Sequence, residues 1–138
     1  MNSRRYKTIV SVGSNINPEE NIAKTTEILS GECTLLGEAT VIQTEPDGFK
    51  DQPDFLNGAY LLETDLPYDD FNAYLKAVEK RIGRVKGPIK SGPRAIDLDI
   101  IFWDGEVVHD DYRSNKEYVI QPVNELLDKF KEALKTAG

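Results

Sequence analysis

Between Phe55 and Ile82 the apolar residues change period, and that change limits the architecture more than any other feature of the chain. Over Phe55–Thr64 they alternate, with Phe55, Asn57, Ala59 and Leu61 on one side and Leu56, Tyr60 and Leu62 on the other, which is the pattern of a strand. From Tyr68 onward Phe71, Leu75, Val78 and Ile82 recur at helical spacing, and Gly83 supplies a stop. A strand and an amphipathic helix each carry one apolar surface that must meet another layer, so the pair predicts helices packed on a sheet.

The N-terminal half repeats the theme. Tyr6, Thr8, Val10 and Val12 alternate with Lys7, Ile9, Ser11 and Gly13, a strand ending at Gly13-Ser14-Asn15. A helix should follow: Asn17 can cap it, Pro18 suits its first position, Glu20 stands where a capping-box acid reaches back, and Gly31 is a terminator. Cys33 to Glu45 reads as an extended segment interrupted around Gly37, and Pro46 to Pro53 as a loop. Ala95 to Trp103 is a further strand, turned by Asp104-Gly105 into Glu106 to Val108. Tyr118 to Ile120 reads as a short extended piece, and Asn124 to Thr136 as a closing helix with Leu127, Phe130 and Leu134 inward. The order β-α-β-β-α-β with a hairpin and a tail helix predicts an α+β, ferredoxin-like sandwich: an antiparallel sheet with helices mainly on one face.

With 138 residues the chain is the size of one domain. No apolar run approaches the roughly 20 residues of a membrane span, and Met1 to Arg5 leads into an alternating segment rather than a signal-peptide core. A cytoplasmic protein is expected, with no membrane partner. The single cysteine, Cys33, rules out an intrachain disulfide and fits a small buried hydrophobe. A net charge of −7 argues against a nucleic-acid partner. Yet Lys80, Arg81, Arg84, Lys86, Lys90 and Arg94 fall in a stretch with no acid, broken by Gly87-Pro88 and Gly92-Pro93. A basic loop on an acidic protein suits a small polyanion such as a phosphate tail.

In Ile96-Asp97-Leu98-Asp99-Ile100 the strand period sends both carboxylates to one face and the three apolar side chains to the other. The two acids stand about 7 Å apart along the strand, near enough to repel each other and to ligate a hard cation together. Magnesium suits such a pair because it takes few carboxylates and completes its shell with water and substrate phosphate. Gly92-Pro93-Arg94 delivers a guanidinium just before them, able to hold phosphate oxygens bidentately, and Arg84 and Lys86 can reach the same tail. No G-x-x-x-x-G-K-[ST] segment is present, so the basic loop must take the role of a P-loop.

The run Gly92-Pro93-Arg94-Ala95-Ile96-Asp97-Leu98-Asp99-Ile100-Ile101 resembles the signature of the 6-hydroxymethyl-7,8-dihydropterin pyrophosphokinase family. The resemblance extends over roughly residues 6 to 108, through Val12-Gly13-Ser14-Asn15, Thr44 to Gly48, the block Asp51 to Asn57, Glu79 and Gly83-Arg84-Val85. It implies one pterin pyrophosphokinase-like domain over 1–138, of ferredoxin-like fold. It also implies an enzyme that moves the terminal diphosphate of ATP onto the pterin hydroxymethyl group, giving AMP; a monomer is expected. Two Mg²⁺ ions on Asp97 and Asp99 would neutralise the triphosphate, with Arg84 and Arg94 stabilising the shifting charge. Thr44, Asp47, Phe55, Asn57 and Tyr118 would form the pterin site, and Glu79, Arg84, Lys86, Arg94, Ile100 and Lys116 the nucleotide site. Asn57 offers both a donor and an acceptor to an amide-like ring edge.

On the residues alone, Phe55 also fits a core position and Glu79 a solvent ion pair. His109 lacks the proline that follows the family's nucleotide histidine and is expected on the surface. Lys116 stands about where the family has an arginine, keeping the charge without the planar fork. Ser91 replaces an aromatic. Two other readings compete with the working enzyme: a non-catalytic pterin- or nucleotide-binding relative, and a kinase for a different acceptor.

Overall fold

The computed structural model describes residues 4–84 and 92–130. Strands β1 (Tyr6–Ser14), β2 (Thr34–Glu38), β3 (Ile42–Thr44), β4 (Phe55–Thr64), β5 (Asp97–Trp103) and β6 (Glu106–Val107) form one antiparallel sheet. Its order is β2-β4-β1-β5-β6, with β3 also pairing β4. Helix α1 (Pro18–Glu32) joins β1 to β2 across β4, and α2 (Tyr68–Ile82) joins β4 to β5 across β1, which is the ferredoxin-like arrangement. Helices α3 (Asp110–Arg113) and α4 (Glu117–Lys129) complete the described chain.

Strand alternation splits the interior in two. Val10, Val12, Tyr60, Leu62, Leu98 and Ile100 face α1 and α2, meeting Leu29, Phe71, Leu75 and Val78. Ile9, Ala59, Leu61 and Ile101 face the other way, where Val119, Val123 and Leu126 of α4 cover them. The two long helices thus share one face as expected, while the tail helix takes the opposite one. Burying a Leu- or Ile-sized side chain stabilises by about 1.5–3 kcal/mol, so each layer is a substantial core.

Helix α2 has the predicted bounds, closed by Gly83 at φ 114° with its N–H on the Glu79 and Lys80 carbonyls. The hairpin turn uses Asp104 at φ 48° and Gly105 at φ 101°. Elsewhere local chemistry differs from expectation. Asn17 does precede α1, but in the left-handed region (φ 42°) and with no side-chain cap; instead Asn21 Nδ2 donates to the Ile16 carbonyl at 2.7 Å. Gly31 lies inside α1, which runs to Glu32 and ends on Cys33 in extended conformation. Cys33 is only half-buried, and that burial raises its thiol pKa.

The Cys33 to Glu45 segment is two strands, with a register shift between Leu35 and Gly37 and a break before Ile42. Tyr118 to Ile120 is helical rather than extended. The closing helix begins at Glu117, with Pro122 inside it, because Val119, Val123 and Leu126 make one apolar stripe on the sheet. The expected end of that helix beyond Phe130, Leu134 included, lies outside the described residues.

Candidate functional site

The site begins with one row of the sheet. Gly13 of β1 pairs with Asn57 of β4 on one side and with Asp97 of β5 on the other. The next row along β1 is Ser11, between Ala59 and Asp99. These residues share the face that carries α4 further along, so both acids and Asn57 project on one side, beyond the end of the α4 core. Gly13 is needed there: a Cβ on it would stand 2.9 Å from Asn57 Oδ1. Asn57 is 6% exposed, and its Nδ2 donates to Thr44 Oγ1 of β3 at 2.6 Å.

Above this row a cavity of about 130 Å³ is lined by Thr44, Glu45, Asp47, Phe55, Asn57, Gly92, Arg94, Asp97 and Tyr118. All five residues expected at the acceptor are in that wall, beside one of the acids and one of the arginines. The volume is of the order of the roughly 150 Å³ cavity that holds a single aromatic ring. Tyr118, in the first turn of α4, donates its hydroxyl to Asp111 Oδ2 at 3.2 Å, and burial, then that acid, push its phenol pKa up. Lys116, just before α4, pairs with Asp47 Oδ2 at 3.1 Å, joining the loop on one side of the cavity to the helix on the other.

Beside the cavity the acids sit in a chain of alternating charge. Arg84 Nη1 donates to Asp97 Oδ1 and to Glu79 Oε1, both at 2.9 Å. Glu79 is 4% exposed, and its other oxygen accepts the Leu98 N–H at 2.7 Å. It is therefore a buried hub rather than a solvent ion pair. Lys76, one helical turn earlier, donates to Glu79 Oε2 at 3.1 Å and to the Leu98 carbonyl at 2.8 Å, with Asp99 Oδ1 at 3.6 Å. Lys76, Glu79, Lys80 and Arg84 line an open cleft next to it. Burial, then the Asp97 charge, push the Asp99 carboxyl up from its ordinary value, against the pull of Lys76 and His109. Asp97 and Asp99 are the carboxylates that could hold a hard cation.

Three expectations need restating. Arg81 leaves the basic cluster for the far side of α2, where its two terminal guanidinium nitrogens each donate to a Glu32 carboxylate oxygen at 2.8 Å. Ile100 keeps its side chain in the core under α2, 3% exposed, so only its backbone is on offer. His109 is half-buried rather than a surface residue, its Nδ1 accepting the Asp111 N–H at 3.1 Å and its Nε2 standing 3.9 Å from Asp99 Oδ1. Lys86, Lys90 and Ser91 lie outside the described residues. Lys76 was missed; its only sequence signal is the i, i+3 spacing to Glu79 on the helix.

Acid pair, arginines and ring-sized cavity lie together on one face of an antiparallel sheet, an arrangement able to hold a phosphate-bearing ligand through a cation and guanidinium groups. Residues 9–128 match the family described as 7,8-dihydro-6-hydroxymethylpterin-pyrophosphokinase (HPPK), and the chain belongs to that family. It is similar to the folic acid synthesis protein FOL1 of Dictyostelium discoideum, 27% identical over 94% of this chain and 21% of the relative. It resembles the mitochondrial folate synthesis bifunctional protein of Pisum sativum, 31% identical over 88% of the chain and 25% of the relative. With the folic acid synthesis protein fol1 of Pneumocystis carinii it shares 34% identity over 87% of the chain and 16% of the relative. The chain thus spans a quarter or less of these relatives' lengths. No helix among the described residues is long and apolar enough to cross a membrane.

Proposed function

We propose that this chain transfers the terminal diphosphate of ATP to the hydroxymethyl group of 6-hydroxymethyl-7,8-dihydropterin, releasing AMP, as a step of folate synthesis. The observation that carries the reading is the shared cavity, whose wall joins Thr44, Phe55, Asn57 and Tyr118 to Arg94 and Asp97. A flat heterocycle would lie in this cavity against Phe55 and Tyr118, with the Asn57 carboxamide and Thr44 hydroxyl reading its polar edge. The alcohol then points toward Asp97 and Arg94.

The donor set fits magnesium. Two carboxylates share a face, and burial and then their mutual repulsion raise the Asp99 pKa. Among the described residues no group of three or more His, Cys, Asp or Glu side chains gathers, so the ion would rest on this oxygen pair, water and substrate phosphate, which suits magnesium. Asp97 and Asp99 would hold it, two ions being expected, and when bound it neutralises triphosphate charge. Arg84 would pass from Asp97 to phosphate oxygens, Glu79 keeping its guanidinium in place. Arg94 would take charge as it moves onto the bridging oxygen, and Lys116 would exchange Asp47 for the phosphate tail.

The test is AMP formation from ATP and the pterin alcohol with Mg²⁺. Asp97→Ala and Asp99→Ala should each abolish turnover with the fold intact, since neither side chain belongs to a core. Purified protein that binds both ligands and releases no AMP would instead be the non-catalytic binding relative. AMP formed only with another alcohol would make it a kinase for that acceptor.

A further inference from the structure

We propose that Asn15, at the end of β1, is a positioning residue: its carboxamide sets the Arg94 backbone and ties it to the chain leading into the acceptor strand. Asn15 is 5% exposed. Its Oδ1 accepts the Arg94 N–H at 2.8 Å, and its own backbone N–H donates to the Arg94 carbonyl at 3.0 Å. Both polar groups of the Arg94 peptide units are therefore held by one residue. Its Nδ2 uses both hydrogens, on Gln52 Oε1 at 2.8 Å and on the Pro53 carbonyl at 3.0 Å. The neighbouring Ser14 hydroxyl donates to the Ala95 carbonyl at 2.6 Å, so the strand that carries Asp97 enters the sheet along a fixed path.

The chemistry of the amide explains the residue. A single short side chain must present one acceptor to the 94 side and two donors to the 52–53 side at once. Aspartate has no donor, serine has one, and glutamine is longer by a methylene. Pro53 lies two residues before Phe55, and Gly13, two residues before Asn15, separates Asn57 from Asp97. The two halves of the amide thus act on two subsites: Oδ1 on the arginine arm, Nδ2 on the acceptor wall. A change that loosens one should be separable from a change that loosens the other.

The kinetic arm of the test rests on the proposed reaction; a second arm does not. In the first, kcat and both KM values are measured for Asn15→Ala, Asn15→Asp, Arg94→Ala and the Asn15→Ala/Arg94→Ala double variant. Asn15→Ala should lower kcat about tenfold, but less than about threefold once Arg94 is already removed, the signature of residues that act as a unit. Asn15→Asp keeps the acceptor for Arg94 and loses both donors, so it should raise the pterin KM about tenfold while the ATP KM moves less. In the second arm, amide hydrogen exchange should speed up at Arg94 in Asn15→Ala and not in Asn15→Asp, while the Leu98 amide stays protected in both. Losses that multiply in the double variant, or unchanged Arg94 exchange in Asn15→Ala, overturn the inference. If Asn15→Ala does not fold, equal pterin and ATP KM shifts in Asn15→Asp overturn it. An inactive wild type with the expected exchange pattern would fail the reaction and leave the positioning role standing.

Discussion

Replacing Gly13 by alanine tests whether the site depends on close approach between β1 and the Asn57 side chain. The added methyl would lie 2.9 Å from Asn57 Oδ1, where ordinary contact begins at 3.4 Å, and 3.9 Å from Phe55 Cδ1. Asn57 has little room to retreat, being 6% exposed and tied to Thr44 Oγ1 by a 2.6 Å hydrogen bond. Keeping that bond means overpacking, typically about 1–3 kcal/mol; giving it up loses a net contribution of about 1 kcal/mol. The two routes bracket a destabilisation of about 1–3 kcal/mol, a fall in Tm of about 3–10 °C for a chain of this size. The pterin should suffer more specifically. A displaced carboxamide no longer meets the ring edge, so Kd should rise about 10–100-fold, equivalent to about 1.4–2.8 kcal/mol. Thermal unfolding and pterin fluorescence titration read both effects. In an Asn57→Ala background the methyl has nothing to strike, and Gly13→Ala should cost little. A Tm within about 1 °C and a pterin Kd within about twofold of the parent would refute the reasoning.

Glu79→Gln should destabilise by about 1.5–3 kcal/mol, the range for hydrogen bonds to charged groups, and Glu79→Ala by more, because it strands the Leu98 N–H as well; urea unfolding measures both. Gly37→Ala would set a methyl into the Phe130 ring, so Tm should fall by the equivalent of about 1–3 kcal/mol and recover in a Phe130→Ala background. The Arg81 guanidinium and then the Tyr74 hydroxyl hold the Glu32 carboxyl down at about 2, against 4.5 for the free group. The folded value is the lower one, so this contribution is present above pH 4.5 and is lost as pH falls toward 2. Glu32→Gln should therefore flatten the drop in urea midpoint across that window, and an identical pH profile in the variant would count against the Arg81 pairing.

The site was legible where chemistry follows strand period. Alternation alone put Asp97 and Asp99 on one face and buried Ile96, Leu98 and Ile100 on the other, because a strand offers only two directions. The helix α2 and its Gly83 stop were legible for the same reason. What escaped was set by partners distant in sequence. Tyr118-Val119-Ile120 has β-branched residues and a nearby proline, and only packing on β1 and β4 makes it helical. Arg81 and Arg84 look equivalent in the sequence, yet Arg81 in the last turn of α2 reaches Glu32 while Arg84, beyond the Gly83 stop, reaches Asp97. Lys76 carries no motif and Asn15 only closes the run Val12-Gly13-Ser14-Asn15; their contacts exist only once α2 meets β5 and once the 52–53 loop and Arg94 both reach Asn15.

The face under α4 grades along β1 in steps of two residues. Ile9 pairs with Leu61 in the core, Ser11 joins Ala59 to Asp99, and Gly13 joins Asn57 to Asp97. One sheet surface passes from oil to acid within three rows, so tolerance to substitution should grade with it. A library confined to the first row would sample stability at constant chemistry, and one at Asp97 in the third would sample chemistry, the neighbouring Gly13 being held by its close approach to Asn57. Ser11 marks the watershed: the point at which a single side chain answers to both demands.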